Sequence, residues 1–192
     1  MKKTKLLLIG GGGHCNSVID VIEQENRFQI VGIIDNPENL GKQVLGYPVI
    51  ATDNQLAELY SKYQHAIVTV GQIKSSALRV RLYQQLKEIG YQLPVIISPM
   101  AYVSKHAQIG EGTVILHHAL VNASANIGNN CIINSKALIE HDAHIHDHCH
   151  IATASVINGG VVVEANTFVG SNTTSVQGCR LHGFIKAGAL AK

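Results

Sequence analysis

From Ile97 to the C-terminus one apolar side chain recurs at every sixth residue: Ile97, Val103, Ile109, Ile115, Val121, Ile127, Ile133, Ile139, Ile145, Ile151, Ile157, Val163, Val169, Ser175, Leu181 and Ala187. Only Ser175 and Ala187 in that series are not aliphatic. Four residues after most of them stands a small residue, as in Ala101, Ala107, Thr113, Ala119, Ala125, Cys131, Ala137, Ala143, Cys149, Ser155, Thr167, Thr173 and Cys179. A period of six fits neither the helical 3.6 nor the alternation of a half-buried strand; it is the mark of a β-helix built from hexapeptides. Each hexapeptide is then a short strand plus a corner. The aliphatic residue fills the interior and the small residue lets the chain turn. Three faces make a coil of 18 residues, and coils stack at the strand spacing of about 4.8 Å.

The first ninety-odd residues carry a different pattern. Lys5 to Ile9 reads as a buried strand, Asn16 to Glu25 as a helix, and Ile30 to Ile34 as a second strand ending in Asp35. Asp53 to Lys62 reads as a helix, Ala66 to Val70 as a strand, Ser75 to Glu88 as a helix and Pro94 to Ile97 as a last short strand. Alternation of this kind predicts a parallel sheet with helices on its faces. The expected organisation is therefore a Rossmann-like α/β domain over residues 1–96 followed by an all-β parallel β-helix over residues 97–192.

Composition narrows the function. A net charge of +2, with no basic run beyond Lys2 and Lys3, speaks against nucleic acid and anionic membranes as partners. The N-terminus has too short an apolar run for a signal peptide, and no segment approaches the ~20 apolar residues of a membrane span, so a cytoplasmic location is expected. Cys131, Cys149 and Cys179 fall at the small inward position, where a free thiol acts as a small hydrophobe. Cys131 and Cys149 would stack, so a disulfide is conceivable there beside the reading as two buried thiols.

Candidate chemistry sits in two places. Gly10 to Gly13 follow the first strand, and glycines there let backbone N–H groups reach a phosphate at a helix N-terminus; the alternative is a tight turn with no ligand. The dinucleotide fingerprint is absent, because its third glycine would fall on Cys15 or Asn16. One nucleotide is expected rather than two, with Asp35 placed to accept a hydrogen bond from ribose or base. In the coil, His141 stands between Glu140 and Asp142, where a neutral imidazole could take a proton from an attacking amine or hydroxyl. The alternative is an exposed histidine with chance acidic neighbours. His144, His146, His148 and His150 fall at different positions around the coil, so a metal site is not expected and His144, His146 and His148 read as a solvated outer face. Ala152, Gly170 and Gly188 recur at the second hexapeptide position and leave a groove with accessible backbone amides that an extended pantetheine arm would fit; the alternative is that they are small for packing alone.

The chain resembles bacterial sugar acetyltransferases of the sialic acid O-acetyltransferase (NeuD) and UDP-4-amino-sugar N-acetyltransferase (PglD) type. The resemblance rests on Gly11 to His14, Ile34-Asp35, Val70-Gly71, Ile97-Ser98-Pro99, the hexapeptides and Ile139-Glu140-His141-Asp142. It implies a left-handed coil, acetyl-CoA as co-substrate and a nucleotide-activated amino sugar as acceptor. It also implies a homotrimer with active sites between subunits. Carried over, His141 is the general base and Asp142 orients it; Asn134 contacts the sugar and His150 meets the thioester carbonyl. Backbone amides near Ala152, Gly159 and Gly170 hold pantetheine. Gly11, Gly13 and His14 bind phosphate, and Asp35 the uridine. Similar enzymes continue past the last coil, whereas this sequence stops at Ala191-Lys192. A looser hold on the adenine end of coenzyme A, or a shortened and less active protein, is expected. Acetylation of a sialic acid hydroxyl is the alternative within the class; a β-helical metal enzyme of the carbonic anhydrase kind and a non-catalytic nucleotide-sugar binding protein are the alternatives outside it.

Overall fold

The structure, a computed structural model, describes residues 3–192; Lys2, counted in the reading of the N-terminus, lies outside them. The chain forms two compact units. One runs to Gly71 and resumes over Ala77–Pro94; the other joins Gln72–Ser76 to Val95–Lys192.

The first unit holds β1 (Thr4–Ile9), α1 (Gly13–Glu25), β2 (Phe28–Ile34), β3 (Gln43–Val44), β4 (Tyr47–Ala51), α2 (Leu56–Leu59), β5 (Ala66–Val68) and α3 (Ala77–Ile89). Its sheet has the order β3-β4-β2-β1-β5, parallel except for the β3–β4 hairpin. The apolar run Leu6 to Ile9 is buried throughout, as a central strand covered on both faces requires. α1 begins at Gly13 rather than Asn16, with Gly12 as its extended N-cap. The last glycine of the run thus opens the helix, and the others form the loop before it. The helix expected over Asp53 to Lys62 is a 3-10 turn at Asp53–Gln55 followed by the single turn of α2.

In the second unit seventeen two-residue strands wind into three parallel faces. The first face stacks Ile96–Ile97, Val114–Ile115, Ile132–Ile133, His150–Ile151, Phe168–Val169 and Phe184–Ile185. The second begins at Tyr102–Val103 and ends at Leu190–Ala191; the third begins at Gln108–Ile109 and ends at Arg180–Leu181. Ile96–Ile97 is therefore the first rung of the coil, not a last strand of the preceding sheet.

The interior is the expected column of aliphatic and small residues, buried from Ile115 to Val169. The corner itself is made one residue before the small one. Ser124, Asn130, Lys136, Asp142, His148, Ala154, Asn166 and Asn172 all occupy left-handed backbone at the fourth hexapeptide position. The small residue that follows points inward. Its size answers the narrow interior, and the turn is the work of its neighbour.

The period breaks in the last coil. Phe168 pairs with Phe184 and Thr174 with Leu190, sixteen residues on instead of eighteen. Gly183, at φ 73°, lets this corner close with two residues fewer. Ile185 takes the inward place and Ala187 is exposed. Gly188 consequently leaves the column of Ala152 and Gly170: its N–H reaches Ser171 O (2.9 Å), and Gly170 donates to Ile185 O instead.

Candidate active site

His141 stands at the corner between the second and third faces. It follows Leu138–Ile139 and precedes the left-handed Asp142 (φ 59°), so its ring leaves the coil instead of entering it. Nδ1 is 2.8 Å from Asp142 Oδ2, and both side chains are more than half exposed. A carboxylate can only accept here, so Nδ1 carries the proton and Nε2 offers a lone pair. The hydrogen bond to Asp142 holds the imidazole pKa above its ordinary value. Glu140 does not touch the ring. Its Oε2 accepts from Asn122 Nδ2 (2.9 Å) and from the His141 backbone N–H (3.1 Å), which keeps its pKa low and ties down the corner. Asn122, one coil below Glu140, was not singled out from sequence; the 18-residue stacking was the signal that could have found it.

Gly159 lies one coil above His141. A Cβ there would stand 2.9 Å from Cε1 and 3.0 Å from Nε2 of the ring. The missing side chain is what lets the imidazole lie over that corner.

Asn134 and His150 occupy another edge, where the first face turns into the second. His150 is buried at 7 % exposure. Its Nδ1 is 2.6 Å from the backbone carbonyl of Gln72, and its Nε2 is 3.1 Å from Asn134 Nδ2. The other end of the Asn134 amide, Oδ1, accepts from Ser135 N at 2.8 Å. Gln72 is also held through its side-chain amide, which donates to His148 O (3.1 Å). Nothing in the sequence pointed to Gln72, because its part is played by a backbone carbonyl. Within one chain, His141 with Asp142 and Asn134 with His150 thus lie on two different edges of the coil.

Above Asn134 on its edge come Ala152 and Gly170. Their N–H groups donate to Val169 O and Ile185 O, both at 2.9 Å, so the coil ladder uses them. A Cβ on Gly170 would meet Ala187 N at 2.4 Å. The smallness of this edge is therefore partly a packing requirement. Among the described residues the ladder leaves unused the N–H groups of Gly159, Thr153 and Ser171.

In the first unit, Gly11 N donates to Asp35 Oδ2 (3.1 Å) at the C-terminal ends of β1 and β2. Asp35 also accepts from Asn36 N and Asn39 Nδ2. A Cβ on Gly12 or Gly13 would meet nothing within 4 Å, so the N-terminus of α1 is open. His14 follows, half-buried, with its Cβ 3.5 Å from where a Cβ on Gly71 would stand. Next to this loop is a cleft lined by Ile9, Ile34, Asp35, Asn36, Asp53 and Arg81, among others. The Arg81 guanidinium reaches Asp53 Oδ2 at 3.1 Å across its rim. An apolar floor with a polar rim suits a nucleoside at the strand ends.

The remaining histidines differ in one respect from expectation. His144 and His146 stack at 4.3 Å between ring centroids, because the residues before and after an inward one share the outer face. His148 lies at a left-handed corner with Nδ1 3.1 Å from Asn130 Nδ2. Among the described residues no group of three or more His, Cys, Asp or Glu is arranged to hold a metal ion. Cys131 and Cys149 are buried free thiols, and the Cys149 pKa is raised by its contact with Cys131 and by burial.

Comparison with known proteins agrees with this architecture. Residues 5–86 match the family model of the PglD N-terminal domain. GDP-perosamine N-acetyltransferase from Caulobacter crescentus, solved with CoA and GDP-perosamine, is 26% identical with a TM-score of 0.78, over 96% of this chain and 91% of that one. The acetyltransferase domain of PglB from Neisseria gonorrhoeae FA1090, solved with acetyl coenzyme A, is 28% identical with a TM-score of 0.72, over 94% of each chain. WeeI from Acinetobacter baumannii AYE shares the fold at 18% identity and a TM-score of 0.55. No curated protein matches the sequence. Fold and site together define a hexapeptide-repeat protein with a Rossmann-like N-terminal domain and a left-handed β-helix, a hand opposite to that of ordinary parallel crossovers. In the order of its two domains and over nearly its whole length, the chain is similar to these sugar N-acetyltransferases. No helix among the described residues is long and apolar enough to cross a membrane.

Proposed function

We propose that the protein transfers the acetyl group of acetyl-CoA to the amino group of a nucleotide-activated amino sugar. The observation that carries the reading is the His141–Asp142 pair, 2.8 Å apart at an exposed coil corner, in a chain so similar to CoA-bound sugar N-acetyltransferases. The sugar amine attacks the thioester carbonyl carbon, a C–N bond forms, and His141 Nε2 takes the amine proton. Asp142 holds the Nδ1–H tautomer and stabilises the imidazolium. The C–S bond then breaks, and the CoA thiolate leaves and is protonated. No covalent acetyl-enzyme is needed. Cys131 and Cys149 are inside the coil, and burial raises the Cys15 thiol to about 11, which keeps it un-ionised at neutral pH.

Gly11, Gly13 and His14 hold the diphosphate, with Asp35 on the nucleoside. Asn134 and His150 flank the acetyl group. The pantetheine arm runs along the edge of Ala152 and Gly170, accepting from the unused N–H groups of Thr153 and Ser171, while the Gly159 N–H, on the His141 edge, is offered from the neighbouring subunit. Because the His141 and Asn134 edges are separate within one chain, the complete site forms where two chains meet, in a homotrimer. The co-substrates, acetyl-CoA and a nucleotide sugar, support a cytoplasmic reaction.

The test is release of CoA thiol from acetyl-CoA over a panel of UDP-, dTDP-, GDP- and CMP-linked sugars. Release only with a nucleotide-linked amino sugar supports the reading. Release with CMP-sialic acid instead would make the protein an O-acetyltransferase, and no release with any sugar would leave a binding protein.

A further inference from the structure

We infer that Asn134, and not His150, donates the hydrogen bond that stabilises the developing oxyanion, and that His150 is a positioning residue set by the backbone of Gln72. The inference rests on the acetyl-transfer reading. It begins from groups whose hydrogen-bonding sense admits no choice. The Gln72 carbonyl can only accept, so at 2.6 Å the His150 Nδ1 must carry a hydrogen. At the other end, the Ser135 backbone N–H can only donate, so the Asn134 atom 2.8 Å away must be the amide oxygen. That fixes the Asn134 amide the right way round and turns its NH₂ towards His150 Nε2 at 3.1 Å. Two donors cannot face each other, so Nε2 carries no hydrogen. His150 is the neutral Nδ1–H tautomer, with both ring nitrogens committed inside the protein.

A thioester carbonyl needs a donor, and in this arrangement the ring has none to give. Asn134 does. One of its amide hydrogens goes to His150 Nε2; the second is left over, on a half-buried side chain. Asn134 also shares its edge with Ala152 and Gly170, where the near absence of side chains leaves a lane for an extended arm. A thioester travelling that lane meets the Asn134 amide at its lower end. The amide is clamped at both ends, by Ser135 on its oxygen and by His150 on its nitrogen, so the donor is held in place before any charge develops. Such preorganisation is the source of most oxyanion stabilisation. Gln72 belongs to the short Gln72–Ser76 segment that clusters with the coil, which gives that segment a role in the chemistry without contact with substrate.

The proposal is tested by ¹⁵N NMR of the histidine rings of the full-length protein, with His150 assigned by comparison with the His150→Gln variant. A protonated Nδ1 and a bare Nε2, free and with CoA bound, are expected; a hydrogen on Nε2 in either state would overturn the proposal. The kinetic counterpart is Asn134→Ala, expected to lower kcat by about 10²–10³ with the acetyl-CoA KM within about threefold, the usual cost of one oxyanion donor. His150→Gln, whose amide can give to Gln72 O and accept from Asn134, should retain at least a tenth of kcat. An unchanged kcat in Asn134→Ala, or a His150→Gln variant as slow as Asn134→Ala, would contradict the assignment. The tautomer is read without turnover. A protein with the expected tautomer that transfers no acetyl would therefore refute the acetyl-transfer reading by itself.

Discussion

Two histidines nine residues apart show how one repeat produces opposite environments. His141 is at the third position of its hexapeptide, on a corner, and its ring stands in solvent against Asp142. His150 is at the sixth position, on a strand face, and is buried between a backbone carbonyl and an amide. The side chain is the same; the phase within the repeat decides whether it titrates against a carboxylate or serves as a fixed link between two neutral groups. In a β-helix the interior phase is spent on packing, so chemistry has to be built from the corner and face positions.

Substitutions at each histidine break this contrast in a predictable order. His141→Ala is expected to lower kcat/KM by about 10²–10⁴, the worth of a positioned general base. Its stability should match that of the parent, because the ring is exposed. Steady-state kinetics and chemical denaturation on the same sample check both halves. Asp142→Asn comes next, with a loss of about 10–10² in kcat/KM, since a neutral amide does not support the imidazolium and its NH₂ can face Nδ1 as readily as its oxygen, so the tautomer is no longer fixed. Gly159→Ala places a methyl 2.9 Å from the His141 ring and should cost about tenfold in kcat with little change in acetyl-CoA KM. The larger effect on folding belongs to the other histidine. His150→Ala removes the partner of the Gln72 carbonyl and of the Asn134 amide and is expected to destabilise by about 1–3 kcal/mol. Equal unfolding midpoints for His141→Ala and His150→Ala would erase the distinction between the two sites.

The coil was legible because every rung repeats one environment, so a single period placed Ile97 to Leu181 and the small inward residues together. It failed where the repeat is shortened. Leu181 is followed by Ile185, not Ala187, because Gly183 closes the corner early, and both residues are apolar enough to hide the change of phase. With it went Gly188 as a member of the bare edge. The first unit has no repeat to average over. Its main strands were read from apolar runs, whereas the β3–β4 hairpin was missed and the helix expected over Asp53 to Lys62 proved to be a 3-10 turn and the single turn of α2, since such short elements leave almost no periodic signal. His141 and Asp142 were visible as neighbours in sequence. Gln72 was not, because a carbonyl that sets a tautomer from 78 residues away has no side-chain signature.

The central claim is that neutral His141, held by Asp142, takes the proton from the attacking amine. The most direct test is the pH dependence of kcat/KM for acetyl transfer, in the parent and in Asp142→Asn. Because Asp142 raises the His141 pKa, the active, unprotonated form fills only above that raised value. The rate should climb with pH to a plateau, and the midpoint should move to lower pH when the carboxylate is replaced, while the plateau falls. An acid limb that stays at the same pH in Asp142→Asn would contradict the account.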